Sequence, residues 1–320
     1  MNFFFKRVFV ALLALILLIS QLASCKKQND VDGSEHICFT DALGREISIN
    51  GTPERVAALI GSFADIWLLA GGKLCAAAED ANEDFGLELD GAVSLGGAHS
   101  PSLELLISAE PDLVLASAST ASNVEMKASL EQMGITVAYF DVDNFEDYLN
   151  MLDICTDITG RKDLYDKNGL EIKNEIDRIK KDFADLALDD SEKTVLLLRA
   201  SSGHVRAKGS EGTVLGEMLN DIGCINIADS DSGLLEQLSV ERVIEKEPRH
   251  IFVVTMGNDT EAARASLTKM MEENPAWNTL EAIKENRLHI MDKQLFNLKP
   301  NARWAKAYEK LYETLISKTS

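Results

Sequence analysis

Four basic residues lie close together in the second half of the chain, with no acidic residue between them. They are Arg199, His204, Arg206 and Lys208, and Arg199 directly follows the apolar run Val195–Leu198. Since such a run predicts a buried strand, Arg199 would stand at the carboxyl end of that strand, where α/β sheets bind ligands. The pattern predicts a cationic wall for an anionic ligand. A solvent-exposed hairpin with ordinary surface charge is the alternative.

The basic run is a local exception in an acidic protein. The 320 residues include 32 Lys and Arg against 52 Asp and Glu, which gives a formal net charge of -20. Nucleic-acid binding depends on neutralising phosphates with Lys and Arg, so this composition argues against a nucleic-acid partner. Hydrophobic residues make up 46%, which is typical of a globular chain, and the length predicts about two domains.

Sequence motifs of known catalytic sites are absent. The chain contains no G-x-S-x-G elbow, no P-loop, no H-E-x-x-H, and no G-x-G-x-x-G after a predicted strand. The five histidines are scattered, and no His/Glu/Asp cluster predicts a protein-bound metal ion. The sequence therefore favours a binding protein without a resident cofactor over an enzyme.

The first residues predict an exported protein. Lys6 and Arg7 precede the apolar run Val8–Leu18, which fits the core of a secretory signal and is shorter than the roughly 20 residues of a membrane span. Leu22–Cys25 resembles a bacterial lipobox, in which the Cys thiol receives a diacylglycerol.

We therefore expect residues 1–24 to be a lipoprotein signal peptide, with lipidation at Cys25. Residues 25–36 would form a polar tether that holds the protein on the outer side of the bacterial cell membrane. A plain signal peptide with a chance Cys, or an uncleaved anchor, are the alternatives. Two states are open for the remaining cysteines Cys38, Cys75, Cys155 and Cys224. They would form disulfides, which this compartment permits, or they would be buried free thiols.

Short apolar runs alternate with helical patterns in each half of the chain, which predicts parallel sheets with helices on their faces. The predicted strands are Val56–Ile60, Leu74–Ala78, Leu113–Ala116 and Thr136–Phe140, then Val195–Arg199, Ile225–Ala228, Ile251–Thr255 and Leu288–Met291. The predicted helices of the first half include Ser62–Ala70, Ser102–Ala109 and Val124–Met133.

A charged segment between the halves predicts one long helix. Its apolar residues recur at steps of four and three from Ile172 to Leu186, which places them on one face. The sequence thus predicts two α/β lobes, residues 37–160 and 189–320, joined by a rigid helix over residues 161–188. At 1.5 Å per residue this helix would span about 40 Å.

The two lobes share a short internal repeat. Four residue types recur at one offset, Ser102, Glu104, Glu110 and Pro111 in the first copy and Ser239, Glu241, Glu247 and Pro248 in the second. Each copy predicts a helix that begins near the Ser and ends before the Pro, and then a buried strand.

Several blocks in order resemble the solute-binding proteins of ABC transporters for ferric siderophores, haem and cobalamin. The likeness covers about residues 38–316, and it includes both copies of the internal repeat. The other blocks are Thr40–Glu46 with Pro53–Val56, Leu95–Gly97, Asn274–Trp277 and Ala282–Leu288.

The resemblance implies two Rossmann-like lobes with mostly parallel sheets, bridged by one long helix, with the ligand in the cleft between them. It implies that Glu104 and Glu241, one per lobe, dock onto arginines of an ABC permease dimer that works with an ATPase. The alternative is that each Glu only complements a helix dipole. The function expected is capture and delivery of an anionic metal chelate, such as an iron–siderophore, haem or cobalamin.

Loops that follow the strands, the basic run and nearby aromatic side chains provide the candidate ligand contacts. They are Ser62, Phe63, His99, Ser119, Arg199, His204, Arg206, Met256, Phe296 and Trp304. The aromatic and Met side chains would contact an organic ligand, and His99 or His204 would contact a chelate. The alternatives to a binding protein are a chelatase- or reductase-like enzyme on paired lobes and a structural surface lipoprotein.

Overall fold

The structure is a computed structural model that describes residues 28–29, 35–257 and 259–317. Cys25, the predicted signal peptide and most of the predicted tether lie outside these residues. Within the described ranges, no helix combines the length and the apolarity that crossing a bilayer requires.

A small antiparallel sheet begins the described chain. Its strands β1, β2 and β3 follow the order of the sequence, and Ile47 and Ile49 of β3 face the core while the residues between them face solvent. The strands are β1 Gln28–Asn29, β2 Glu35–Thr40 and β3 Glu46–Asn50.

The N-terminal lobe contains a five-stranded parallel sheet with the order β6-β5-β4-β7-β8. Its strands are β4 Val56–Ala58, β5 Leu74–Ala77, β6 Val93–Ser94, β7 Leu113–Ser117 and β8 Thr136–Phe140. Its helices are α1 Gly61–Leu69, α2 Asp80–Glu83, α3 Leu103–Ser108, α4 Ala121–Glu125 and α5 Lys127–Gln132. The predicted strands are confirmed. In place of the single predicted helix Val124–Met133, the structure has the two short helices α4 and α5.

The connection between the lobes is helical but not a single α-helix. After α6 (Phe145–Thr159) it consists of α7 Lys162–Tyr165, a π-helical turn Asp166–Leu170 and α8 Glu171–Ala184. The Tyr148 hydroxyl donates a 2.7 Å hydrogen bond to the Asn168 carbonyl within the π-helical turn. A Cβ atom on Gly169 would lie 3.0 Å from a Leu149 methyl group, so α6 packs closely on the turn. The expected continuous helix to residue 188 ends at Ala184.

The C-terminal lobe contains a sheet with the order β10-β9-β12-β13, in which only β10 is antiparallel and the short β11 also pairs with β9. Its strands are β9 Thr194–Ala200, β10 Val205–Lys208, β11 Ile225–Asn226, β12 His250–Thr255 and β13 Leu288–Ile290. Its helices are α9 Val214–Ile222, α10 Ser232–Glu236, α11 Val240–Lys246, α12 Thr260–Glu273, α13 Glu281–Lys284, α14 Lys293–Phe296 and α15 Trp304–Ile316.

One hydrophobic cluster runs through both lobes. It includes Phe63 of α1, Ile179 of α8, Leu197 of β9 and Trp304 of α15, all buried. Because a wide opening of the lobes would expose this shared core to water, the packing supports small lobe motion.

The internal repeat of the sequence is also a repeat of structure. Ser102 and Ser239 cap α3 and α11, each accepting a hydrogen bond from the amide three residues ahead. Glu110 and Glu247, which follow the two helices, both have left-handed backbones, with φ of 47° and 42°. The predicted helix, Pro and strand order is confirmed in both copies.

Candidate functional site

The carboxyl ends of the parallel strands form one edge on each lobe, and ligands in α/β sheets bind at this edge. On the N-terminal lobe, the edge includes the start of α1 and the loop after β5. The Gly61 amide donates a 2.9 Å hydrogen bond to Asp80 Oδ2. A Cβ atom on Gly61 would lie 2.5 Å from the Ala81 nitrogen, so the approach requires glycine.

Asp80 is a partly buried acid of this edge. Its second oxygen, Oδ1, is buried without a hydrogen-bond partner among the described residues. Burial raises the pKa of this carboxyl, the nearby Asp84 raises it further, and the nearby His99 opposes the shift. His99 itself is exposed, as expected of a loop residue that can meet a ligand.

Ser119 is exposed at the end of β7, and its hydroxyl oxygen lies 3.0 Å from that of Ser117. The carboxyl of Asp141, at the end of β8, faces it. Burial raises the pKa of Asp141, Asp143 raises it further, and a hydrogen bond with Ser119 opposes the shift. Ser119 therefore lies beside acids, and Lys299 is the nearby cation.

The C-terminal edge brings Arg199, Arg206 and Lys208 onto one face of the sheet; we call these three residues the basic trio. Arg199 of β9 is the direct cross-strand partner of Arg206 of β10. Lys208 is the partner of Leu197, which lies two positions before Arg199 in β9. Since cross-strand partners share a face, the trio lies on the same face as Leu197. Leu197 packs in the core that both lobes share, so this face is turned toward the N-terminal lobe.

Within the described part of the chain, no carboxylate neutralises the basic trio. Arg199 Nε is buried without a hydrogen-bond partner, and burial lowers the pKa of this guanidinium. Burial also lowers the pKa of Lys208, and the charges of Arg199 and Arg206 lower it further. The like charges of Arg199 and Arg206 and the desolvated Nε donor of Arg199 both lower the stability of the free protein. An anionic ligand would offset this cost.

His204 lies apart from the basic trio, at the tip of the β9–β10 hairpin. Its Nδ1 lies 3.2 Å from Ser201 Oγ. It lines a pocket of about 470 Å³ together with Lys269 and Met270 of α12, on the outer side of the lobe. Met256, in contrast, is exposed directly after β12, at the ligand edge.

Four other predicted contacts are buried. Phe63, Phe296 and Trp304 pack in the shared core, with at most 1% of each residue exposed, and Ser62 is 2% exposed. Their surfaces contact protein atoms, so we do not propose the three rings as ligand contacts. An aromatic residue after a strand suits a core as well as a ligand, and the local pattern does not distinguish the two.

A segment of the C-terminal lobe also contacts the N-terminal edge, and no local sequence pattern predicts this contact. Lys293 Nζ lies 3.0 Å from Asp84 Oδ1, and Lys299 Nζ lies 3.7 Å from Asp143 Oδ1. Asn301 Nδ2 donates to the Ser62 carbonyl at 2.9 Å. The only local signal was the Lys-Pro-Asn order before α15, which favours a turn.

A further pocket of about 440 Å³ lies at the other end of the C-terminal sheet, before β12. Its arginines are already paired, since Arg249 lies 3.4 Å and Arg287 3.2 Å from the same oxygen of Glu281. Paired guanidinium groups leave less attraction for an anion than the basic trio does, so we place the candidate site at the trio.

The described residues contain no cluster of three or more His, Cys, Asp or Glu side chains that could hold a metal ion. All four cysteines from Cys38 onward are free thiols, and Cys155 and Cys224 are buried. Burial raises the pKa of the Cys224 thiol to about 12, so it is not a reactive thiolate at neutral pH.

Glu104 and Glu241 are exposed in the first turns of α3 and α11. Both helices precede a strand of their sheet, so both begin on the side of the ligand edge. Ser239 donates a 2.8 Å hydrogen bond to the Glu241 carboxylate. Hydrogen bonds from its own amide and from Ser239 lower the pKa of Glu241, which keeps it ionised.

Comparisons with known proteins fit this arrangement. A family described as "Periplasmic binding protein" matches residues 56–295. An uncharacterized ABC transporter substrate-binding lipoprotein of Bacillus subtilis (strain 168), YvrC, is 23% identical over 316 residues, 96% of each chain. The Fe(3+)-citrate-binding protein YfmC of the same organism is 23% identical over 297 residues, 89% of each chain. Staphylococcus aureus SirA, solved with staphyloferrin B, shares the fold with a TM-score of 0.66 and 21% identity, covering 87% of this chain and 98% of that one.

Proposed function

Because the chain belongs to the periplasmic binding protein family, we propose that it is the extracytoplasmic substrate-binding component of an ABC importer. Its cargo is an anionic ferric chelate, of the kind that YfmC is named for, held in the cleft between the lobes. The protein binds the cargo and delivers it to the permease without a covalent step.

The observation that supports an anionic cargo is the basic trio. Three cations on one face, without a carboxylate partner among the described residues, form a built-in attraction for carboxylate or catecholate groups. His99 and Ser119 of the N-terminal edge and Met256 of the C-terminal edge complete the proposed contacts, since all three are exposed at strand ends.

Titration of the purified protein with ferric citrate tests the cargo class. A charge-assisted hydrogen bond contributes about 1.5–3 kcal/mol, so Arg199→Gln should weaken binding by about 10- to 100-fold. Arg264→Gln is the matched control, because Arg264 is an exposed arginine on α12. Equal affinities of the two variants would refute the role of the basic trio.

The permease contact and the membrane anchor belong to the same proposal. Glu104 and Glu241 would dock onto permease arginines, one from each lobe, because both are exposed beside the ligand edge. Cys25 would carry the lipid that keeps the protein at the membrane. Mass spectrometry of the mature N-terminus checks the anchor, since an unmodified Cys25 would exclude it.

A further inference from the structure

Residues 292–303 cross from the C-terminal lobe to the ligand edge of the N-terminal lobe, and we call this segment the clasp. At its first end, Lys293 pairs with Asp84 at 3.0 Å, and Gln294 Nε2 donates to the Asp84 carbonyl at 3.2 Å. At its other end lies Asn301. The contacts thus join residues more than 200 positions apart in sequence.

Asn301 is the most constrained residue of the clasp. It is fully buried, and its φ of 53° is a left-handed backbone that costs a non-glycine residue energy. Both hydrogens of Nδ2 are used, one for the Ser62 carbonyl at 2.9 Å and one for Asp65 Oδ2 at 2.8 Å. Both acceptors belong to α1.

The position of these two acceptors matters, because α1 begins the ligand edge of the N-terminal lobe. On one side, Asp80 holds the Gly61 amide. On the other side, Asn301 holds Ser62 and Asp65, and it does so from the lobe that carries the basic trio. Asn301 therefore fixes the first turn of α1 relative to the cationic wall.

We propose that Asn301 is a positioning residue, which sets the separation of the two ligand edges through its hydrogen bonds to α1. The inference extends the proposed function and rests on it, because the separation of the edges matters for binding only if the cargo binds in the cleft. The structural link between the lobes, however, can be measured without any cargo.

The test compares Asn301→Gly with Asn286→Gly in the full chain. Asn286 has nearly the same backbone, with φ of 52°, but it is exposed at the end of α13. Glycine relieves the left-handed strain equally at both positions, so the two variants differ in the loss of the buried Asn301 side chain with its hydrogen bonds to α1.

Hydrogen–deuterium exchange of the cargo-free protein is the first measurement. We expect Asn301→Gly to speed amide exchange in α1 and in the clasp by about tenfold, with Asn286→Gly unchanged. Titration with ferric citrate is the second, and we expect binding to weaken by about five- to tenfold, the size of a typical coupling between sites.

Faster exchange with unchanged affinity would overturn the positioning role, and so would unchanged exchange. If the wild-type protein does not bind ferric citrate, the proposed cargo fails, and the exchange comparison decides the clasp alone. If Asn301→Gly does not fold, Lys293→Gln breaks the other end of the clasp, and the same two measurements apply to it.

Discussion

The two edges of the cleft carry their charges in different ways. On the N-terminal edge, two acids have cationic partners from the clasp, Asp84 with Lys293 and Asp143 with Lys299. On the C-terminal edge, the basic trio has no carboxylate partner among the described residues, and Arg199 Nε is buried without an acceptor.

This difference separates the charges that hold the lobes together from the charges that are available to a ligand. Paired groups contribute modestly to stability and have little left to offer a third partner. Unpaired, partly desolvated cations cost stability in the free protein, and burial and like-charge neighbours are typical of functional sites. The lobe contact therefore lies on the acidic edge, and the proposed recognition of the cargo's negative charge lies on the basic edge.

The two docking glutamates, Glu104 and Glu241, provide the largest predicted effect, and in this respect the two lobes should act alike. Reversing both docking charges, with Glu104→Lys and Glu241→Lys, should abolish uptake of the cargo by cells, since the introduced ammonium groups would repel the permease arginines that the carboxylates attract. Cargo affinity of the purified double variant should equal that of the wild type.

The single variants sharpen this prediction. If each lobe contributes equally, Glu104→Lys and Glu241→Lys should reduce uptake to a similar extent, although only Glu241 accepts a hydrogen bond from its capping serine. Glu245→Lys, on the exposed side of α11, controls for the change in net charge. Lost cargo affinity in the double variant would contradict docking.

The fold and the basic trio could be predicted because their signals are local. Apolar runs give the strands, and Arg199 follows a run directly, so its place at a strand end needs no tertiary information. The pairing of Arg199 with Arg206 also follows from a short hairpin.

Other parts of the site depend on contacts that no local pattern contains. Asn301 meets Ser62 across 239 positions of sequence, and nothing near either residue indicates the partner. Phe296 follows a strand-like pattern as a ligand contact would, and only the assembled core shows that its ring and the ring of Trp304 are buried. The π-helical turn likewise depends on α6, through the contact of Tyr148 with Asn168.

The smallest predicted effect concerns Asp80 of the N-terminal edge, whose Oδ1 has no hydrogen-bond partner among the described residues. Its pKa is raised in the folded state, first by burial and then by Asp84, with His99 opposing. Stability from this group is therefore fully present below its unfolded pKa and is lost as the pH rises through its folded pKa.

Asp80→Asn removes this loss and keeps an oxygen that can accept the Gly61 amide. We expect the variant to be more stable than the wild type at pH 7 and equally stable at pH 3, measured by urea unfolding at both values. Ferric citrate affinity should change by less than about twofold, because charge recognition lies on the opposite edge. A loss of affinity as large as that of Arg199→Gln would show that both edges recognise the charge of the cargo, and the contrast between them would fail.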